Sequence, residues 1–312
     1  MIVFRRHFRR LACLGLAVMA AAAASCGSDS VLEQVEAEFD KGNYREALYI
    51  ARHHFRKGGE RTPELLFLSG RSYIALSIEA DASDSFAEVF SSDSTWAPMI
   101  AEVLREEALL SLEKGLTAKG SRFIIQAVNY GKNLDFGRFD GLAGDLMLER
   151  KDYGGAIHYY TIFLEEYPDT AGAAAVMMDL GAAYEGHGDI LEAIHLYREF
   201  QDRYPKSRMR STAQWKLENL LLDSGNELLT GGEPEEAERI LVELADTAGN
   251  LLVREKATFL LAEIYESRED YTRAVRYYKE VVNLTLGSSG RLAEKAKERI
   301  EIIEAERKNN LR

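Results

Sequence analysis

Side chains able to act as nucleophile, base or metal ligand are thinly spread along this 312-residue chain. Of six histidines, His7 falls in the N-terminal leader, and His53 and His54 are neighbours that point to different sides of a helix. His158, His187 and His195 lack a partner at metal-ligand spacing, and no HExxH, CxxC or EF-hand pattern occurs. His187 falls in a turn and the other two lie beside tyrosines, so packing and surface roles account for them. Residues 115–121, GLTAKGS, have the glycine spacing of a phosphate loop. Lys119 precedes the second glycine instead of following it, however, and no strand leads in, so the stretch reads as an inter-helix turn. Gly287 and Gly290 flank two serines without forming a Gly-x-Ser-x-Gly elbow. The pairs Tyr159-Tyr160 and Tyr277-Tyr278 have the chemistry of a stacking platform, but their helical register assigns Tyr160 and Tyr278 to a core. Asn283, Leu284 and Thr285 form a glycosylation tripeptide that reads as incidental. The sequence predicts no catalytic residue, no metal and no cofactor, and hence no enzyme.

The elements that must position these side chains are helices. Residues 180–205, LGAAYEGHGDILEAIHLYREFQDRYP, describe the end of one helix, a turn at Gly186, His187, Gly188 and Asp189, and a second helix stopped by Pro205. Proline cannot donate the next helical hydrogen bond and pushes Tyr204 out of the helical region. Met177, Leu180, Gly181 and Tyr184 share one face of the first helix, and Ala193, Ile194, Tyr197 and Phe200 share one face of the second. Gly181 and Ala193 leave room where the backbones approach, and tyrosines fill the space beside them. Such a hairpin keeps a second apolar edge that needs a neighbour.

That neighbour recurs at a period of about 36 residues, the mark of stacked units that cannot bury their faces alone. Upstream stand Gly144, Met147, Tyr153, Ala156, Tyr160, Phe163 and Pro168; downstream stand Leu261, Ala262, Tyr265, Tyr271, Ala274, Tyr278 and Val281. The small residue early in helix A recurs as Gly70, Gly144, Gly181 and Ala262, with a tyrosine three later at Tyr73, Tyr184 and Tyr265. The helix-B alanine recurs as Ala47, Ala82, Ala156, Ala193 and Ala274, and an aromatic four beyond it as Phe86, Tyr160, Tyr197 and Tyr278. These units resemble tetratricopeptide repeats. The resemblance implies an all-α fold, a right-handed α-solenoid of about seven hairpins over residues 31–284, followed by a capping helix and tail over 285–312. In the third hairpin, the poorest match, Gly120 replaces the helix-B alanine and Ser111 the tyrosine, and the sixth is stretched by a long first helix. No alternating run predicts a strand.

Residues 1–25 form a leader: Arg5, Arg6, Arg9 and Arg10, an apolar run too short to span a membrane comfortably, then small residues. Ala23, Ala24, Ser25 and Cys26 resemble the bacterial lipoprotein cleavage box. That resemblance implies acylation of Cys26, a tether over 26–30, and attachment to a membrane surface facing the periplasm, with Gly27 after the cysteine favouring the outer membrane. Cys13 goes with the leader, so the mature chain has no disulfide and relies on helix packing. Removing the leader arginines makes the net charge of −12 more negative still. An acidic surface of this kind repels phosphates, which excludes a basic-groove nucleic-acid binder.

In this family the inner wall is lined by helix-A side chains opposite the seam. The corresponding positions are Phe67, Arg71 and Ile74; Arg138, Asp145 and Leu148; Met178, Ala182 and Glu185; and Phe259, Glu263 and Glu266. The expectation is that Phe67, Met178 and Phe259 anchor a protein or peptide partner while the carboxylates select a basic one. The repeats, the leader and the Tyr-Pro endings (Tyr167-Pro168, Tyr204-Pro205) resemble the outer-membrane β-barrel assembly lipoproteins and the repeat domain of the Tol-Pal-associated coordinator. This implies a membrane-anchored periplasmic scaffold whose partners are envelope proteins, β-barrel assembly components among them. A ligand-binding or transporter-associated accessory lipoprotein is the alternative.

Overall fold

A computed structural model describes residues 28–284 and 290–310. The leader, with Cys13 and Cys26, lies outside the described residues, as do Thr285 of the glycosylation tripeptide and Gly287 of the glycine pair. Among the described residues the secondary structure is entirely helical, without a strand. The repeated hairpins expected from small and bulky side chains are therefore present. They fall into two compact units, one ending at Leu134 and the other beginning at Asp135.

The first unit contains three hairpins: α1 (Ser28–Asp40) with α2 (Tyr44–Arg56), α3 (Pro63–Ala75) with α4 (Glu79–Ser92), and α5 (Ala97–Glu113) with α6 (Thr117–Tyr130). The first helix begins at Ser28, so the tether expected over 26–30 is already helical in part. Pro63 occupies the first turn of α3, where its missing donor costs nothing, and Thr62 caps the helix by accepting from the Leu65 amide. A Cβ on Gly70 would stand 2.6 Å from the Phe86 ring, which explains the small residue at that crossing. In the poorly matching third hairpin Gly120 does the same work against Leu112. The phosphate-loop look-alike is the turn between α5 and α6: Gly115 takes a left-handed φ of 75° and its amide donates to the Leu112 carbonyl at 2.9 Å.

The second unit opens with a 3-10 turn (Gly137–Phe139). It continues through α7 (Asp140–Glu149) with α8 (Tyr153–Glu166), α9 (Ala173–His187) with α10 (Ile190–Arg203), α11 (Arg210–Gly231) with α12 (Pro234–Thr247), α13 (Leu251–Ser267) with α14 (Tyr271–Leu284), and a last helix, α15 (Arg291–Asn310). Tyr160 lies against Gly144 and Tyr197 against Gly181, where a Cβ would come within 2.5 Å of either ring. Leu241 fills the equivalent place over Gly225. Both seam tyrosines are 0% exposed, as is Tyr278 beside Ala262. Tyr167 and Tyr204 leave the helical region before their prolines, as the steric argument requires. One apolar cluster runs from Met177 to Ile264, so each hairpin buries the edge its predecessor leaves. The charged helix α15 packs next in order, with Ala296 and Ile303 buried in one cluster with Phe259, Ala274 and Tyr278 of α13 and α14.

Asp140, at the start of α7, is the most deeply buried acid of this unit. One carboxylate oxygen accepts from the Phe136 amide at 3.0 Å, while the other has no hydrogen-bond partner. Burial raises its pKa to about 6, the Phe136 bond opposing and the charges of Asp135 and Glu166 adding to the rise.

Candidate partner-binding surfaces

The helix-A positions assigned to the inner wall divide into three groups. Phe67, Ile74, Met178 and Phe259 are buried, each at 9% exposure or less. Phe67 packs on Phe86 and Trp96, and Phe259 on Tyr278, so the three proposed anchors are core side chains and present nothing to a partner. The reason is that a helix A is covered from two sides, by its own helix B and by the next hairpin. In α3 every position from Leu65 to Gly70 is buried. Arg138 is corrected in another way: it belongs to the 3-10 turn, with its guanidinium over the Phe139 ring, and lies on no helix face.

The second group comprises carboxylates that the protein already uses. Glu185 accepts the Tyr197 hydroxyl at 2.5 Å and the Lys216 ammonium, from the next helix A, at 2.8 Å. Glu266 repeats the arrangement with the Tyr278 hydroxyl at 2.7 Å and Arg299 of α15. Burial alone would raise the pKa of Glu266, but the bonds from Arg299 and Tyr278 hold it below the usual range. The tyrosine hydroxyls are pushed upward by burial and by their carboxylate acceptors. A third seam tyrosine, Tyr160, donates to Asp145 at 2.8 Å. Burial raises Asp145 and also Asp179, each assisted by a neighbouring carboxylate. Glu185 and Glu266 are thus neutralised internally, which corrects the expectation that they select a basic partner. Glu263 remains exposed, and Leu148 and Ala182 are half-buried.

The third group lines a real cavity. Arg71 and Ile74 border a cleft of about 480 Å³ in the first unit, walled by α1, α3 and α5. Phe39, Tyr44, Val103 and Leu110 supply its apolar surface. The Arg71 guanidinium lies 4.5 Å from the Phe39 ring centre. Desolvation lowers its pKa, opposed by the charges of Glu106, Tyr44 and Asp40. Lys119 and Glu107 close one side with an ion pair at 2.8 Å. Val103, Glu106 and Leu110 share one face of α5 at three- and four-residue spacing, but they lie off the register of Phe67, Arg71 and Ile74: counted from Ala108, that register gives Arg105, Leu109 and Leu112, of which only Leu109 borders the cleft.

The histidines stay apart. His187 bonds Asp189 at 2.8 Å, His158 packs edge-on against Tyr159, and His195 is exposed. Among the described residues no group of three or more His, Cys, Asp or Glu is placed to hold a metal, and no helix is long and apolar enough to cross a membrane.

Residues 142–208 and 222–290 match the family described as tetratricopeptide repeat. Among solved structures, the chain is similar to the C-terminal part of a TPR repeat-containing protein from Cytophaga hutchinsonii, at 17% identity over 86% of this chain and 98% of that one, with a TM-score of 0.35. It is also similar to a tetratricopeptide repeat protein from Parabacteroides merdae, at 15% identity over 88% and 98% with a TM-score of 0.30. A third similarity is to Naa15/Naa10 bound to HypK-THB, at 13% identity over 88% of this chain and 39% of that one, with a TM-score of 0.39. No curated protein matches the chain.

Proposed function

We propose that the protein, residues 142–208 and 222–290 of which match the tetratricopeptide repeat family, is a non-enzymatic scaffold, tethered through acylated Cys26 to a membrane surface facing the periplasm, where it holds partners of an envelope assembly machine. The outer membrane is the favoured site. The tether rests on the leader arginines, the short apolar run and the small residues before Cys26. The observation that carries the scaffold reading is the cleft of the first unit. Its aromatic and aliphatic walls, and a rim carrying charges of both signs, are the chemistry of a protein-binding surface. Crosslinking in detergent-solubilised membranes followed by mass spectrometry should recover envelope proteins, β-barrel assembly components among them, and Val103→Asp should reduce their yield. Recovery of monomer alone would count against the scaffold. A Cys26→Ala protein should leave the membrane fraction; one that stays there would overturn acylation.

A second reading has an observation of its own, because about 480 Å³ is also a volume suited to a small organic ligand. In that reading the protein is an accessory to a solute transporter. A rise in melting temperature with organic acids or hydrophobic ligands, absent in Val103→Asp, would favour it over the scaffold.

A further inference from the structure

A second cavity, of about 540 Å³, lies in the other unit, between the start of α11 and the turn that leads from α12 into α13. Gln201, Arg210, Gln214, Trp215, Glu218 and Asn250 border it. Trp215 is 52% exposed, which for the largest side chain in the protein leaves a broad apolar face in water. Leu251 and Leu252, directly after Asn250, are each 54% exposed. Trp215 and Leu252 occupy the same register in consecutive helices A, ten residues before the small seam residues Gly225 and Ala262.

The floor of this cavity is rigid. Glu218 is 2% exposed, and the partners of its carboxylate among the described residues are N–H groups of amides. Its carboxylate accepts from the Gly249 amide at 2.7 Å, the Asn250 amide at 3.1 Å and the Gln214 side chain at 2.7 Å. Burying a carboxylate is expensive, and here it fixes one surface turn and one amide side chain beside the exposed indole. Preorganisation of that kind lowers the entropy lost when a ligand docks.

Arg210 borders the cavity, and the turn that leads up to it is basic in a chain of net negative charge. Lys206, Arg208 and Arg210 are exposed, and among the described residues none of the three pairs with an acid. Lys206 and Arg208 stand just before α11 and Arg210 is its first residue, at the positive end of a helix whose first turn has no acidic residue. Three cations at a helix N-terminus repel both one another and the helix dipole, and a bound anion would relieve that repulsion.

We propose that this cavity is a docking site for an acidic, leucine-bearing peptide segment of a partner protein. Its carboxylates meet Lys206, Arg208 and Arg210, its leucines lie on Trp215 and Leu252, and its main chain is held by the side-chain Oε1 of Gln214 and Nδ2 of Asn250, the carboxamide atoms not engaged by Glu218 and the Leu252 amide. The site is independent of the cleft in the first unit and uses the opposite charge preference from the one the carboxylates Glu185 and Glu266 would have imposed.

The protein's own fluorescence supplies the assay, since of its two tryptophans Trp96 is buried and Trp215 exposed. Titrating the full chain with a synthetic Asp-Glu-Leu repeat peptide should shift the emission to the blue and saturate, and raising the salt concentration should weaken the binding. The Arg208→Glu/Arg210→Glu protein should bind at least about tenfold more weakly. Arg45→Glu/Arg52→Glu, which makes the same change of net charge on α2, should bind as the parent does. A Trp215→Ala protein, followed with a dye-labelled peptide, should lose a similar factor. The proposal is overturned if no saturable binding occurs, if a Lys-Lys-Leu repeat peptide binds equally well, or if both charge-reversed proteins lose affinity alike. Binding to phosphatidylglycerol vesicles without binding to the peptide would also overturn it, in favour of a lipid surface.

Discussion

Exchanging Asp140 for asparagine isolates the effect of the buried acid at the start of α7. In the folded protein burial lifts this carboxyl from 3.8 to about 6, so folding favours its protonated form. A rise of that size corresponds to about 3 kcal/mol between the two protonation states. The sign follows from proton counting. Between the unfolded and folded values the native state holds more protons, so this contribution is fully present below pH 3.8 and is lost as pH rises through about 6. Lowering the pH from 7 to 5 should therefore stabilise the parent by about 1.3 kcal/mol relative to Asp140→Asn. For a unit of this size that is a relative gain of about 3 to 5 °C in melting temperature. Asparagine keeps an acceptor for the Phe136 amide and carries no charge, so its own melting should follow only the groups that both proteins share. Urea denaturation of both proteins at pH 7, 6 and 5 measures the difference directly. A gap independent of pH, or one in which the parent loses ground on acidification, would refute the assignment of a buried, unfavourably charged carboxyl.

The seam makes its own predictions. Gly181→Val should destabilise by about 1 to 3 kcal/mol, because its side chain would overlap the Tyr197 ring; a variant as stable as the parent in urea would contradict the packing. Tyr197→Phe should cost about 1 to 2 kcal/mol by leaving Glu185 with one fewer donor. Combining it with Lys216→Met should show coupling in a double-mutant cycle, and strict additivity would mean that the two bonds to Glu185 act separately. Glu218→Ala should raise amide hydrogen exchange at Gly249 and Asn250 more than elsewhere, since their common acceptor is removed.

The hairpins were legible in the sequence because each needs a small residue opposite a large one, and Gly144 with Tyr160 or Gly181 with Tyr197 writes that need at fixed spacing. The inner wall was less so. Phe67 and Phe259 share a helical stripe with Arg71 and Glu263, but periodicity cannot tell how far coverage by the next hairpin extends around the helix. A signal was there to be read: residues 65–70, LLFLSG, are apolar or small all round, the mark of a helix with no free face. The partners of Glu185 and Glu266 were invisible for a different reason. Lys216 and Arg299 lie one hairpin further on, and which rotamer reaches back is decided by the stacking and not by spacing along the chain.

Those two bridges also limit where the chain can be cut. Glu185 is bonded by a tyrosine of its own hairpin and balanced by a cation from the following one, and Glu266 depends in the same way on α15. A fragment ending at Pro205 would leave Glu185 uncompensated on a freshly bared apolar edge, whereas one that retains α15 ends with Glu266 still compensated by Arg299. Arg299 of α15 thus does for Glu266 what Lys216 of α11 does for Glu185.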